Sequence, residues 1–180
     1  MKSLDLGCGR RKQTGAVGVD INPASGADVI HDLNLFPYPF DDSTFDEILA
    51  DNTVEHLENL PRVMEEIYRI AKPGAIIKIT VPYFRARWAF VDPTHRHFFT
   101  IDSFGYFDPD HPFYERYPLS KAIFRTEKIA FNEKIIERGL LKLLRVFLKA
   151  CANRWPNRYE AYLSHLFPLD ELTFYLRTVK

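Results

Sequence analysis

Residues 3–9 read Ser-Leu-Asp-Leu-Gly-Cys-Gly, a short apolar run that ends in a glycine bend, and that join decides the fold. Gly7 and Gly9 let the backbone turn sharply with no side chain between it and a ligand. Working outward, further runs of the same kind follow: Ala16 to Val19 before Asp20, Ala27 to Ile30 before His31 and Asp32, Phe45 to Ala50, and Ala75 to Val81. These short apolar runs bounded by turn residues read as buried parallel strands. A helix is predicted over Leu57 to Ala71, where Leu60, Val63, Met64, Ile67, Ile70 and Ala71 form a stripe of helical period. Pro61 suits its first turn, and Pro73 with Gly74 stops it. Strand, helix, strand in that order makes a right-handed parallel crossover. The connections over 7–15 and 20–26 leave little room for full crossover helices, so the expected fold is α/β with trimmed helices.

Beyond this core, Tyr83 to Pro118 mixes prolines with aromatics and is too long for an ordinary connection, which marks it as a functional lid. A strand is predicted from Ala122 to Phe131, a helical stretch from Glu133 to Ala152, and a last strand from Glu171 to Val179. One domain over 1–180 is expected: a cofactor-binding core over 1–83, an inserted lid or substrate segment over 84–121, and C-terminal strands with a helical segment over 122–180. The chain is 46% hydrophobic and 27% charged, which excludes disorder, a collagen repeat and a disulfide scaffold. Lys plus Arg equals Asp plus Glu at 24 each, so no overall field draws it to nucleic acid. Cys8 and Cys151 form neither a disulfide framework nor a metal pair. With no apolar stretch of membrane-span or signal-peptide length, a cytoplasmic location is expected.

A dinucleotide fingerprint would place a third glycine where Lys12 stands, and Asp20 comes too early for its usual acidic partner, so a nicotinamide cofactor is disfavoured. Five ordered motifs point elsewhere: LDLGCG (4–9), VGVDINP (17–23), VIHDLN (29–34), FDEILADNTVEHL (45–57) and KPGAIIKITVPYF (72–84). Over residues 3–84 the chain resembles the S-adenosylmethionine-dependent methyltransferases of the class I, seven-stranded Rossmann-like type, in particular the small-molecule "type 11" group. The resemblance implies that Asp5, Gly7, Cys8 and Gly9 wrap the methionine part of the cofactor. It places Asp20 on the ribose hydroxyls and Ile21 against the adenine. Asp32 and Leu33 would meet the adenine edge, and Asp51, Asn52, Val54 and His56 would lie in the loop beneath the sulfonium. General chemistry agrees with this: acids at the carboxyl ends of parallel strands stand where open α/β sheets collect ligands, and one carboxylate accepts from two ribose hydroxyls. Arg11 departs from the family, which usually has a further glycine there, and a bulky residue would narrow the methionine end. The family commonly has a helix before the first strand, whereas here that strand is expected almost at Met1, so closure is expected from Tyr83 to Pro118.

Asp92, His95 and His97 lie in DPTHRHFFT, a stretch that is similar to one after the fifth strand in this methyltransferase group. An imidazole titrates near neutrality, so His95 or His97, and with them His56, are candidate general bases. The same His-x-His with a nearby carboxylate would suit zinc or iron, but no metal is assigned. Tyr83 and Arg85, just past the fifth strand, are candidate substrate contacts. Arg138, Lys142, Arg145 and Lys149 share one helical face beside a broad apolar surface, which fits a peripheral membrane or partner contact through 138–149, or else a cover helix with a solvated basic face. The function expected is methyl transfer from S-adenosylmethionine to a small-molecule or lipid- or glycan-linked acceptor. The alternative is a non-catalytic module that binds the same cofactor.

Overall fold

The computed structural model of the chain describes residues 1–117, 119–132 and 138–180. Its strands are β1 (Ser3–Leu6), β2 (Ala16–Asp20), β3 (Val29–Ile30), β4 (Phe45–Asp51) and β5 (Ala71–Pro82), then β6 (Phe124–Asn132) and β7 (Glu171–Thr178). They form one seven-stranded sheet in the order β3-β2-β1-β4-β5-β7-β6. The first five strands are parallel, and β7 runs antiparallel between β5 and β6. This is the α/β, Rossmann-like, mostly parallel seven-stranded arrangement that the resemblance implies. β3 is only two residues long, shorter than the predicted Ala27 to Ile30: Gly26 caps the preceding 3-10 turn, and the Asp28 carboxylate takes the Gly18 amide of β2.

Helix α1 (Leu60–Ile70) buries Val63, Met64, Ile67 and Ile70 against the sheet. Asn59 caps it by accepting from the Arg62 amide at 3.1 Å, and Pro61 occupies its first turn, where a missing N–H costs nothing. The chain turns from Ile70 directly into β5, so the strand begins four residues earlier than the pattern suggested.

The same face carries Leu4, Leu6, Ile48, Ala50, Ile77, Ile79, Phe174 and Leu176, all buried. The alternate positions Ser3, Asp5, Glu47, Leu49, Lys78, Thr80, Tyr175 and Arg177 face the other side, which no full crossover helix among the described residues covers. Polar pairs line that side: Ser3 donates to Glu47, and the buried Thr80 and Thr173 hydroxyls share a bond of 3.0 Å.

The long segment after β5 divides in two. Residues 99–108 form an aromatic cover, with Phe99 stacked on Phe104, Phe104 edge-on to Phe174, and Phe107 against Phe124. That part is core rather than lid. Residues 84–97, with the short helix α2 (Trp88–Val91), lie over the loop that follows β4. Pro118 lies outside the described residues, as does 133–137, where the predicted helical stretch begins.

Helix α3 (Gly139–Arg154) buries Leu148 and Ala152, while Leu140, Leu143 and Phe147 are 81%, 66% and 64% exposed. It packs on the sheet through Leu148 and Ala152 and leaves most of its apolar residues exposed. Asn153 fastens its C-terminal end to β6 by bonds to both the N–H and the C=O of Phe131. No helix among the described residues is long and apolar enough to cross a membrane.

Candidate functional site

The bend after β1 is shaped by its glycines. Gly7 has φ +66°, and a Cβ built on it would stand 2.4 Å from the Thr53 hydroxyl oxygen, so only glycine fits. Thr53 in turn donates to the Leu6 carbonyl, locking the loop after β4 to the end of β1. Gly9 also has a positive φ, +52°, but a Cβ there would meet nothing within 4 Å. The bend is tight against protein on one side and open on the other.

Two clefts meet at this bend, and Gly7 and Asn52 line both. The first, about 380 Å³, runs onto the uncovered face of the sheet past Asp5, Cys8, Gly9, Asp51, Lys78 and Thr80. Arg10 and Arg11 line its mouth and are exposed, so they do not plug it. The second, about 290 Å³, is lined by Asp20, Ile21, His31, Asp32, Leu33, Asn34, Thr53 and His56. Asn52 holds φ +49° between the two; asparagine tolerates this left-handed conformation, and its amide N–H bonds to the Thr80 carbonyl.

The strand-end acids are oriented by backbone amides. Asp20 accepts from Gly9 N at 2.8 Å through one oxygen and from Asn22 N at 2.8 Å through the other, which leaves lone pairs on both. Asp32 accepts from the Asn34 amide, and Asp5 from Gln13 N at 2.8 Å. Burial pushes the Asp5 carboxyl above the usual aspartate range; the Gln13 bond opposes this and Asp51 adds to it. Burial, with Asp5 and Asp20 nearby, likewise raises the Cys8 thiol, which fits a space-filling role and not a nucleophile.

The predicted residues separate on this structure. Asp5, Gly7, Cys8, Gly9, Asp20, Ile21, Asp32, Leu33, Asp51 and Asn52 all line one cleft or both. Val54 does not: it is buried in the core beneath the loop, an apolar anchor in the 3-10 turn Val54–His56. Tyr83 is also core, fully buried with its ring edge-on to Phe84 and Phe131, so it is corrected from substrate contact to packing residue. Arg85 lies over the Phe84 ring and lines neither cleft.

The three histidines part in the same way. His97 bonds through Nε2 to the Leu57 carbonyl at 2.8 Å and pins its loop. His56 and His95 face each other with ring centroids 4.7 Å apart. Each has Nδ1 engaged: His95 with the Ala89 carbonyl at 3.0 Å, His56 with the Thr94 hydroxyl at 2.9 Å, and Thr94 donates onward to Asp92. With Nδ1–H donating in both rings, each Nε2 keeps its lone pair.

Between them stands Glu55, which sequence reading passed over. Its side chain is buried, and neither carboxylate oxygen has a hydrogen-bond partner. Burial pushes its carboxyl up to about 7, with Asp51, Glu171 and Asp92 adding to the rise. Burial and the neighbouring His95 lower the His56 pKa, and Asp92 opposes them. The Glu55 carbonyl accepts from the Arg96 and His97 amides, so the histidine loop is clipped to the 3-10 turn. No local signal in the sequence separates Glu55 from a solvated acid; its burial is made by the loop after β5 folding over the turn.

Residues 4–79 match the family described as "Methyltransferase domain". No curated protein matches the sequence. Among solved structures, the fold is similar to an S-adenosylmethionine-dependent methyltransferase from Archaeoglobus fulgidus, with TM-score 0.59, 21% identity, and coverage of 98% of this chain and 85% of that one. It is similar to another such methyltransferase from Mesorhizobium loti, with TM-score 0.56, 13% identity and coverage of 98% and 90%. The [4+2]-cyclase SpnF is also similar, with TM-score 0.56, 17% identity and coverage of 99% and 74%.

Proposed function

We propose that this chain, a member of the class I Rossmann-like S-adenosylmethionine-dependent methyltransferases, transfers a methyl group to a small acceptor borne on an anionic lipid surface. The observation that supports transfer is the row of carboxylates at successive strand ends around one glycine bend. The donor set fits the cofactor: Asp20 keeps lone pairs for two ribose hydroxyls, Ile21 and Leu33 offer an apolar wall, and Gly9 leaves open space beside the first cleft. When bound, S-adenosylmethionine supplies a methyl group activated by a sulfonium. Asp5 and Asp51 put negative charge where that cation would lie, and Asn52 spans the two clefts. Holding donor and acceptor in line, away from water, is the main contribution required of the protein. A hydroxyl or amine acceptor must shed a proton, and His56 lines the second cleft with His95 and the buried Glu55 beside it; a carboxylate acceptor needs none.

Helix α3 supports the acceptor's setting. From 138 to 158 the sequence holds Arg138, Lys142, Arg145, Lys149, Arg154 and Arg158 and no acid, although the whole chain is neutral. Leu140, Leu143 and Phe147 share the opposite face and are exposed. An apolar stripe with cations on its other side is the makeup of a helix that lies in an anionic lipid interface. β6 and β7 meet at Asn132 and Glu171, and the Asn52 amide contacts Glu171, so the segment between these strands sits at the sheet end that holds the clefts.

The test is S-adenosylhomocysteine binding by calorimetry, followed by methyl transfer to lipid extracts on vesicles. Asp20→Ala should weaken cofactor-product binding by ~tenfold or more, the loss of charge-assisted bonds. Unchanged affinity would contradict the cleft. Binding with no transfer to any acceptor would favour the non-catalytic module, and equal binding to neutral and anionic vesicles would remove the lipid setting.

A further inference from the structure

We infer that Glu55, His56 and His95 form a binding site for one divalent transition-metal cation. The ligand atoms of these three side chains lie within 4.8 Å of one another, and His95 Nε2 stands 4.0 Å from a Glu55 carboxylate oxygen. That separation is too long for a hydrogen bond. Two ligands on one zinc-sized ion stand roughly 3–4 Å apart, so small side-chain rotations bring the set to bonding distance.

Three features make this a built site. Glu55 is 1% exposed, and both its carboxylate oxygens lack a hydrogen-bond partner, a costly arrangement that a cation relieves. Both imidazoles have Nδ1 tied down, His95 to a carbonyl and His56 through Thr94 to Asp92, which fixes each ring and leaves each Nε2 its lone pair. Such outer bonds are what orient metal-binding histidines. The neighbourhood is also negative: Asp51, Asp92 and Glu171 all act on Glu55, so the field favours a cation.

Two imidazoles and one carboxylate suit zinc, manganese, iron(II) or cobalt(II) over magnesium or calcium, and three protein ligands leave coordination positions open. His56 also lines the second cleft, so an open position would be in reach of an acceptor oxygen. Cation binding stands on the chain's own ligands; only this use of it rests on the methyl-transfer reading. An ion held there would act as a Lewis acid on an acceptor hydroxyl and lower its pKa, the proton passing to bulk water because the three side chains are then ligands. The group thereby selected is an oxygen acceptor, not a thioether or an arene carbon.

The full-length chain, stripped with chelator and dialysed, is titrated with cobalt(II) and followed by visible absorbance, with zinc competition read by calorimetry. One cobalt per chain is expected, displaced by zinc. His56→Ala, His95→Ala and Glu55→Gln should each weaken uptake by at least ~tenfold, and Thr94→Val, an exposed position that touches no ion, by ~10-fold through the loosened His56. His165→Ala, an exposed histidine outside the cluster, should change nothing. S-adenosylhomocysteine binding on the same preparations reports the fold. Cobalt uptake that is absent, or unaltered in His56→Ala and His95→Ala while S-adenosylhomocysteine still binds, overturns the site. Cobalt uptake in a chain that binds no S-adenosylhomocysteine keeps the site and sinks the methyl-transfer reading.

Discussion

The two halves of the sheet use their residues differently. In the parallel half, β3-β2-β1-β4-β5, what matters stands at the strand ends: Asp5, Asp20, Asp32 and Asp51, one after another, each beside a turn. In the antiparallel half, β7-β6, what matters is spread over long separations, with Phe104 against Phe174 and Phe131 against Tyr83 and Tyr159. One half is built for a ligand and the other to hold that half in place. Binding and stability should therefore come apart under mutation.

The largest effect should come from the aromatic half. Phe104→Ala empties a fully packed position and should cost about 3–5 kcal/mol in urea unfolding, with S-adenosylhomocysteine affinity intact below the transition. A parallel loss of affinity would show that the halves are not separable. Gly7→Ala lies within the parallel half, at the bend where the two clefts meet. It forces a side chain onto Thr53 at positive φ and should cost about 2–4 kcal/mol while also closing the clefts, so both measurements should fall together.

Asp5→Asn should divide them in the opposite sense. Its carboxyl is raised above 3.8 in the folded chain, so its favourable contribution is present below that value and is lost as pH rises through the folded one. Asparagine has no such loss. Its thermal midpoint should exceed the parent's at pH 7 and match it at pH 3.5, while cofactor-product binding at pH 7 weakens. The smallest effect should be Phe147→Ser on α3: within ~0.5 kcal/mol in stability, because the ring is exposed, yet with binding to anionic vesicles reduced in sedimentation.

The same division governs what the sequence revealed. Asp20, Asp32 and the glycine bend were legible because strand ends are local: an apolar run, a turn residue and an acid suffice. The helix face of α1 was legible for the same reason. Tyr83 was misread because its burial depends on Phe131 and Tyr159, far along the chain, and an aromatic after a strand looks alike whether it faces a cleft or a core. Val54 was misread because a loop residue beside cleft residues can still point inward. Glu55 was missed because nothing local distinguishes it from a solvated acid; its meeting with His95 is made by the loop after β5, which folds back over the turn after β4. The exposed side of α3 was visible as composition, but what it packs against was not.

The placement of β7 bears on how the chain is made. This strand, encoded after every other, enters between two that precede it, pairing with β5 from Ile76 to Pro82 and with β6 from Phe124 to Asn132. Until residues 171–178 leave the ribosome, both neighbours present bare backbone edges, and Ile77, Ile79 and Phe131 await cover. The nascent protein thus carries its adhesive intermediate until residues 171–178 have emerged, and chaperone dependence should track the time taken to synthesise the segment between Asn132 and Glu171.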